Sequence, residues 1–192
     1  MSQIFADGKI LPVTLVEASP CQVTQVKTKD KDGYFAVQLG SEKLVKASKI
    51  KKPMKDKEYR YLREFKIDEE AIKDYEIGKV IDASVFNEGD KVKVAGISKG
   101  KGYQGAVKSW GFHGRLSVTH GTKHELRTLG STGSSQPDHV RKGRKMSGRM
   151  GGERVTVKNL KVVKIEKENN LIAIKGAIPG RKGTLVEIRS IK

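Results

Sequence analysis

His120 and His124 stand four residues apart in the stretch THGTKHELR, the spacing at which two imidazoles on one helix face can share a zinc ion. Gly121 lies between them and no third ligand of the usual kind is nearby, so contact with a phosphate or a base is the stronger reading of both. Ser134 and Ser135 precede His139, which raises a nucleophile and its base. Asp138 is the only acid in place to orient the histidine, and the sequence lacks a strand-to-helix elbow. GKGYQG (Gly100 to Gly105) is glycine-rich but lacks the Walker pattern and is expected to be followed by charge, not a helix. Met146 and Met150 in KMSGRM could share one face of a helical turn. Local packing is the plainer explanation, with contact to bases or sugars as the alternative. No convergent acid–base or metal constellation emerges, so the sequence reads as a non-enzyme without a cofactor or metal site.

The same residues make sense as a polyanion-binding surface. Ser98 to Arg154 holds twelve Lys or Arg against three acids, a net of +9 out of the chain's +17, leaving +8 for the other 135 residues. It also holds twelve of the 21 glycines and all four histidines. A flexible basic linker would share this composition. Tyr103, Trp110, Phe112 and His113 argue otherwise, because rings interleaved with cations suit stacking on bases while phosphates are neutralised alongside. For Trp110 a satellite core cluster is one reading; packing against RNA or capping the root of the loop is the other. Glycine allows close backbone approach and positive φ. A rigid RNA can order a segment with no core of its own, since charge neutralisation offsets the ordering entropy. The candidate contacts are Lys99, Lys101, Tyr103, Lys108, Trp110, Phe112, His113, Arg115, His120, Lys123, His124, Arg127, Arg141, Lys142, Arg144, Lys145, Arg149 and Arg154. With about 28 residues out and as many back, at about 3.3 Å per residue, the excursion has a ceiling near 90 Å.

Strand-like sequence flanks this segment. ILPVTLVE (10–17), CQVTQVKTK (21–29) and YFAVQLG (34–40) are rich in β-branched and aromatic residues and are separated by turn chemistry, with Asp32-Gly33 a hairpin signal. Lys43 to Lys57 is lysine-rich, and Pro53 can open a short helix. EYRYLREFKI (58–67) reads as a strand, DEEAIKDYEIGK as a connector able to start a helical turn, and VIDASVF (80–86) and DKVKVAGIS (90–98) as strands. After the basic stretch, strands are expected at 154–167, 171–178 and 183–191. The expected fold is mainly β: a small closed or partly open β-barrel. Its body comprises 1–97 and 155–192, with a lysine-rich insertion carrying a short helix at about 41–79 and a long, mostly irregular basic extension at 98–154.

The 192 residues have a pI near 9.9 and 36% apolar residues. Such charge favours nucleic acid or an acidic membrane surface, but the glycine content of the middle excludes an amphipathic membrane helix. Cys21 is the single cysteine, so no disulfide framework or cysteine-rich zinc site is expected. No apolar run approaches a membrane span, and MSQIFADGKI lacks the basic and apolar regions of a signal peptide. A cytosolic, soluble protein is expected.

GISKGKGYQGAVKSWGFHG, THG, GSTGSSQPDHVRKGRKMSGRMGGERVTVKNLKVV and NLIAIKGAIPG, in this order and spacing, closely resemble the bacterial-type large-subunit ribosomal protein L3 family. IFADGKILPVTLVEASPCQVTQVK resembles the opening strands of that family, and the likeness is weakest over about 41–79. The resemblance implies a β-barrel body on the ribosomal surface and an extension threading into large-subunit rRNA toward the peptidyl transferase region. It also implies an early role in subunit assembly, with rRNA and neighbouring large-subunit proteins as partners. It implies neither a homo-oligomer nor a membrane, a cytoplasmic location in the ribosome, and rRNA-associated magnesium without dedicated protein ligands. The chain departs from the family pattern in three places. Met1 aligns with the methionine of a GxKxGM opening strand, LGS (129–131) stands where PGS is common, and the turn SSQPDH is one residue shorter than QNQTPG-like turns. The last departure leaves Gln136 as the one candidate there for N-methylation, and the shorter turn counts against it.

Overall fold

The computed structural model describes residues 1–6, 8–44, 50, 52–54, 57–115, 120–121, 124–136 and 138–191. The lysine-rich run from 43 to 57 therefore lies largely outside the described residues, as does Lys123. The strands are β1 (Ser2–Ala6), β2 (Lys9–Glu17), β3 (Cys21–Lys27), β4 (Ala36–Lys43), β5 (Tyr59–Lys66), β6 (Val80–Ile81), β7 (Lys91–Ile97), β8 (Gly102–Gln104), β9 (Gly148–Met150), β10 (Arg154–Glu166), β11 (Leu171–Lys175) and β12 (Val186–Ser190). Three short helices, α1 (Lys29–Asp32), α2 (Glu69–Ile72) and α3 (Ala106–Trp110), and 3-10 turns at Lys52–Met54 and Ala83–Val85 interrupt them. The protein is thus mainly β with short helical insertions.

Three sheets form. The largest runs β1-β2-β11-β10-β7-β12, a second runs β5-β4-β3-β6, and β8 pairs with β9 alone. Every pairing whose register is resolved is antiparallel. The chain divides into two compact units: Met1–Lys93 with Lys158–Ala177 and Arg189–Lys192, and Val94–Val157 with Ile178–Ile188.

The first unit owns most of the core. Val13, Val23, Ala36, Val37, Ala83, Val92, Val162, Ile172, Ala173 and Ile174 are buried there. Ile172, Ala173 and Ile174 are consecutive, so β11 is covered on both faces and shows no alternation. Gly40 in β4 makes room for an aromatic ring. A Cβ there would come within 2.5 Å of Tyr59 and 2.9 Å of Thr24, and the Tyr59 hydroxyl donates to Gln22 Oε1 across the sheet. On the outer side of β5, Lys27 pairs with Glu64 at 2.8 Å, and the Tyr34 hydroxyl accepts from Lys27 and donates to Glu64, both at 2.9 Å.

Two expectations are modified. The strand expected at 80–86 stops after Ile81, because Asp82 turns its carboxylate back onto the Ser84 N–H at 2.9 Å and onto the Ser84 hydroxyl, which starts a 3-10 turn. The residues before Ile10 add β1 to the expected strands, paired with β2 from Ser2 opposite Val13 to Ala6 opposite Lys9, with Gly8 at φ 71 between them. Asp32-Gly33 does end the link between β3 and β4, with Gly33 at φ 80, but a single helical turn precedes it.

The second unit contains α3, β8, β9 and parts of β7, β10 and β12. Among the described residues, three of the thirteen buried apolar side chains, Val94, Ala95 and Ala106, belong to it. Among the described residues, no helix is long and apolar enough to cross a membrane.

Candidate nucleic-acid interface

The basic stretch begins and ends on two chain segments tied backbone to backbone. Ser98 N–H donates to Glu153 O at 2.9 Å, Gly152 N–H to Ser98 O at 3.3 Å and Lys101 N–H to Met150 O at 2.9 Å. The ladder continues through β8 and β9, with Gly102 opposite Met150, Tyr103 opposite Arg149 and Gln104 opposite Gly148. Gly151, at φ 76, sits where a Cβ would run into the Lys99 carbonyl oxygen. Both the left-handed backbone and the close approach require glycine.

α3 follows at once. Its Ala106 is buried, and Gly111, at φ 73, caps its end in the left-handed conformation. Five residues are too few to hold a helix alone. Trp110 fastens this one to the returning chain: its indole Nε1–H donates to Met146 O at 2.7 Å. The Lys145 ammonium lies 5.3 Å from the ring centroid. Trp110 thus braces the root of the stretch, and half of its surface remains exposed. Tyr103 takes the opposite course. Its hydroxyl is held by Ser147 Oγ at 2.7 Å while its ring is 75% exposed.

Farther out, the chain is organised by local contacts. Phe112 is half-buried and His113 exposed. A Cβ on Gly114 would meet the Leu126 carbonyl, and Arg115 pairs with Glu125. Thr128 bonds Glu125 O through both its N–H, at 3.3 Å, and its hydroxyl, at 3.0 Å. His120, at φ 57, and His124 are exposed. Among the described residues no three His, Cys, Asp or Glu side chains cluster as a metal site. Ser134 donates its hydroxyl to Gln136 O at 2.8 Å, within a local turn. Arg144 reaches the Ser131 carbonyl at 2.6 Å. Gln136, Asp138 and His139 are exposed.

The electrostatics separate two kinds of cation. Arg154 is built into the protein: it donates to both oxygens of Glu187, at 2.9 and 2.5 Å, and Glu187 is 8% exposed. That bidentate hydrogen bond, with the attraction of the carboxylate, raises the Arg154 pKa. Among the described residues of the stretch, Arg115 and Arg154 alone pair with a carboxylate. Lys99, Lys101, Lys108, Arg127, Arg141, Lys142 and Arg149 are exposed without such a pair. Exposed cations beside an exposed ring can neutralise phosphates and stack on a base.

Composition alone did not single out Ser98, Ser147, Gly151 or Glu187, which position this surface. Each acts through a partner at least 33 positions away in sequence. The one available signal was the left-handed preference of paired glycines at 151 and 152.

Comparison with known proteins bears directly on this surface. A family model described as Ribosomal protein L3 matches residues 62–192. The large ribosomal subunit protein uL3 of Petrotoga mobilis is 48% identical over 197 aligned positions, covering 98% of this chain and 90% of that protein. The uL3 proteins of Thermosipho africanus and Carboxydothermus hydrogenoformans are 46% and 48% identical, over 100% and 98% of this chain and 94% and 92% of their own lengths.

Proposed function

We propose, from the premise that this chain belongs to the ribosomal protein L3 family, that its segment 98–154 binds large-subunit rRNA directly and that this contact is how it serves subunit assembly. Membership makes it a ribosomal protein of the large subunit that acts in translation as a structural component rather than an enzyme. The reading beyond that rests on one observation. Of the twelve cations in the segment, the described ones pair with carboxylates at only two places. A segment meant to fold on itself would neutralise its own charge; this one leaves it to be neutralised by a polyanion.

The contact residues are drawn from those anticipated from the sequence, with Arg115 and Arg154 the described ones whose guanidinium already pairs with a carboxylate of the chain. Phosphate-directed Lys and Arg position the chain, and specificity comes from RNA shape rather than base edges. The two larger sheets serve as the body, a closed or partly open barrel. Supporting this, Arg189 on edge strand β12 lies 4.7 Å from the Phe65 ring centroid and donates to Glu64 O at 3.4 Å on edge strand β5. On this reading the protein works in the cytoplasmic ribosome beside neighbouring large-subunit proteins, with the extension directed toward the peptidyl transferase region. Magnesium there belongs to the rRNA. Gln136 is exposed, as a site for N-methylation must be.

The test is a chain in which 98–154 is replaced by a short glycine-rich turn between Ile97 and Val155. Expected is loss of incorporation into large-subunit particles with the β sheets still folded by circular dichroism. Normal assembly of this variant would overturn the proposal.

A further inference from the structure

We propose that the β8/β9 ribbon carries a stacking site for one unpaired nucleotide, with the Tyr103 ring as platform for the base and Arg149 as the phosphate ligand, and that Trp110 is a positioning residue rather than a platform. This rests on the rRNA-binding reading and specifies its chemistry at the root of the segment.

Tyr103 and Arg149 are directly opposed across an antiparallel pair, so their side chains leave the ribbon on the same face. They diverge along it. The Tyr103 hydroxyl is held toward Ser147, two residues before Arg149, at 2.7 Å. Arg149 leans the other way, over Gly152, where a Cβ would lie 3.2 Å from its Nη2. Gly152 at φ 72 keeps that space clear. The result is a ring fixed at its polar tip and 75% exposed, next to a guanidinium with no carboxylate partner among the described residues. An aromatic immobilised before binding loses little entropy when a base lands on it. The charge of the surrounding segment selects a nucleic-acid partner over a protein one. Trp110 is differently placed: its N–H is spent on Met146 O and Lys145 already lies over its ring.

The experiment uses the full chain, a fluorescein-labelled single-stranded 12-nucleotide RNA of mixed sequence, and a 12-base-pair RNA duplex, read by fluorescence anisotropy. Tyr103→Leu is expected to weaken single-strand binding about tenfold and leave duplex binding unchanged, while Tyr103→Phe, which keeps the ring, stays within about twofold of the parent chain. Arg149→Ala should weaken both probes, and an abasic single strand should bind the parent chain as weakly as the ordinary strand binds Tyr103→Leu. Trp110→Phe keeps a ring but loses the donor to Met146; it should instead speed amide hydrogen exchange at 144–148. Salt-sensitive binding of both RNAs by the parent chain, with Tyr103→Leu indistinguishable from it, would overturn the stacking site and leave the rRNA reading standing. Failure of the parent chain to bind either RNA would overturn both.

Discussion

Gly151 has two reasons to be glycine, a φ of 76 and a carbonyl where a Cβ would go. Gly151→Ala is therefore expected to destabilise the root of the basic segment by about 2 kcal/mol or more, read as a lower thermal midpoint and faster hydrogen exchange at 98–101 and 150–153. Substitution at Gly100 is the control, because nothing lies within 4 Å of its missing Cβ and no positive φ is required. A second residue-scale prediction concerns acid. The Lys27 ammonium, followed by the Tyr34 hydroxyl, holds the Glu64 carboxyl below its ordinary pKa. A depressed carboxylate pKa contributes stability above the unfolded value, about 4.3, and that contribution is lost as pH falls through the folded value. Glu64→Gln should lower the thermal midpoint at pH 7 and match the parent chain near pH 2. An equal deficit at both pH values would show that the contact does not act through ionisation.

At the scale of elements, β10 and β12 are joined by a charge pair of unequal partners. Glu187 is 8% exposed and Arg154 is 54% exposed. Arg154→Ala removes two charge-assisted hydrogen bonds to a buried carboxylate and should cost about 1–2 kcal/mol, less than the 3–5 of a fully buried pair because solvent screens half of the guanidinium. Arg154→Ala with Glu187→Leu should recover part of that loss in denaturant melts, because the buried charge is gone. The same scale explains where sequence patterns misled. VIDASVF has the residue types of a strand, but Asp82 and Ser84 offer the backbone a local hydrogen-bonded alternative and the strand ends. β1 overlaps the stretch that resembles the family's opening strands, and pairing with β2 holds it in place. α3 has neither length nor a side-chain cap, and no propensity sum would place it without Trp110 reaching Met146.

For the whole molecule, charge and core are divided unevenly. The basic stretch carries more than half of the net +17, while ten of the thirteen buried apolar side chains among the described residues lie in the other unit. Binding to RNA should accordingly be governed by counterion release. The logarithm of the association constant should fall with the logarithm of salt concentration at a slope of about −0.7 to −0.9 per neutralised phosphate. Combining Lys99→Ala, Lys101→Ala and Lys108→Ala should reduce that slope by about two to three. A slope unchanged in the triple variant would mean these lysines do not meet phosphates.

The sequence by itself determined the mainly β class, the position of the basic segment, the absence of a convergent catalytic set and the family resemblance. All of these follow from residue type, order and alternation along the chain. The fates of individual cations and rings did not. Lys99 and Arg154 are equivalent in composition, but only Arg154 meets a buried carboxylate from a strand 33 positions on. Tyr103 and Trp110 are both aromatics in a glycine-rich run, and only the return of β9 beside β8 leaves one ring open while the other is tied down. Those differences depend on which distant residues the fold brings within about 3 Å of one another, and short-range sequence patterns carry no record of that.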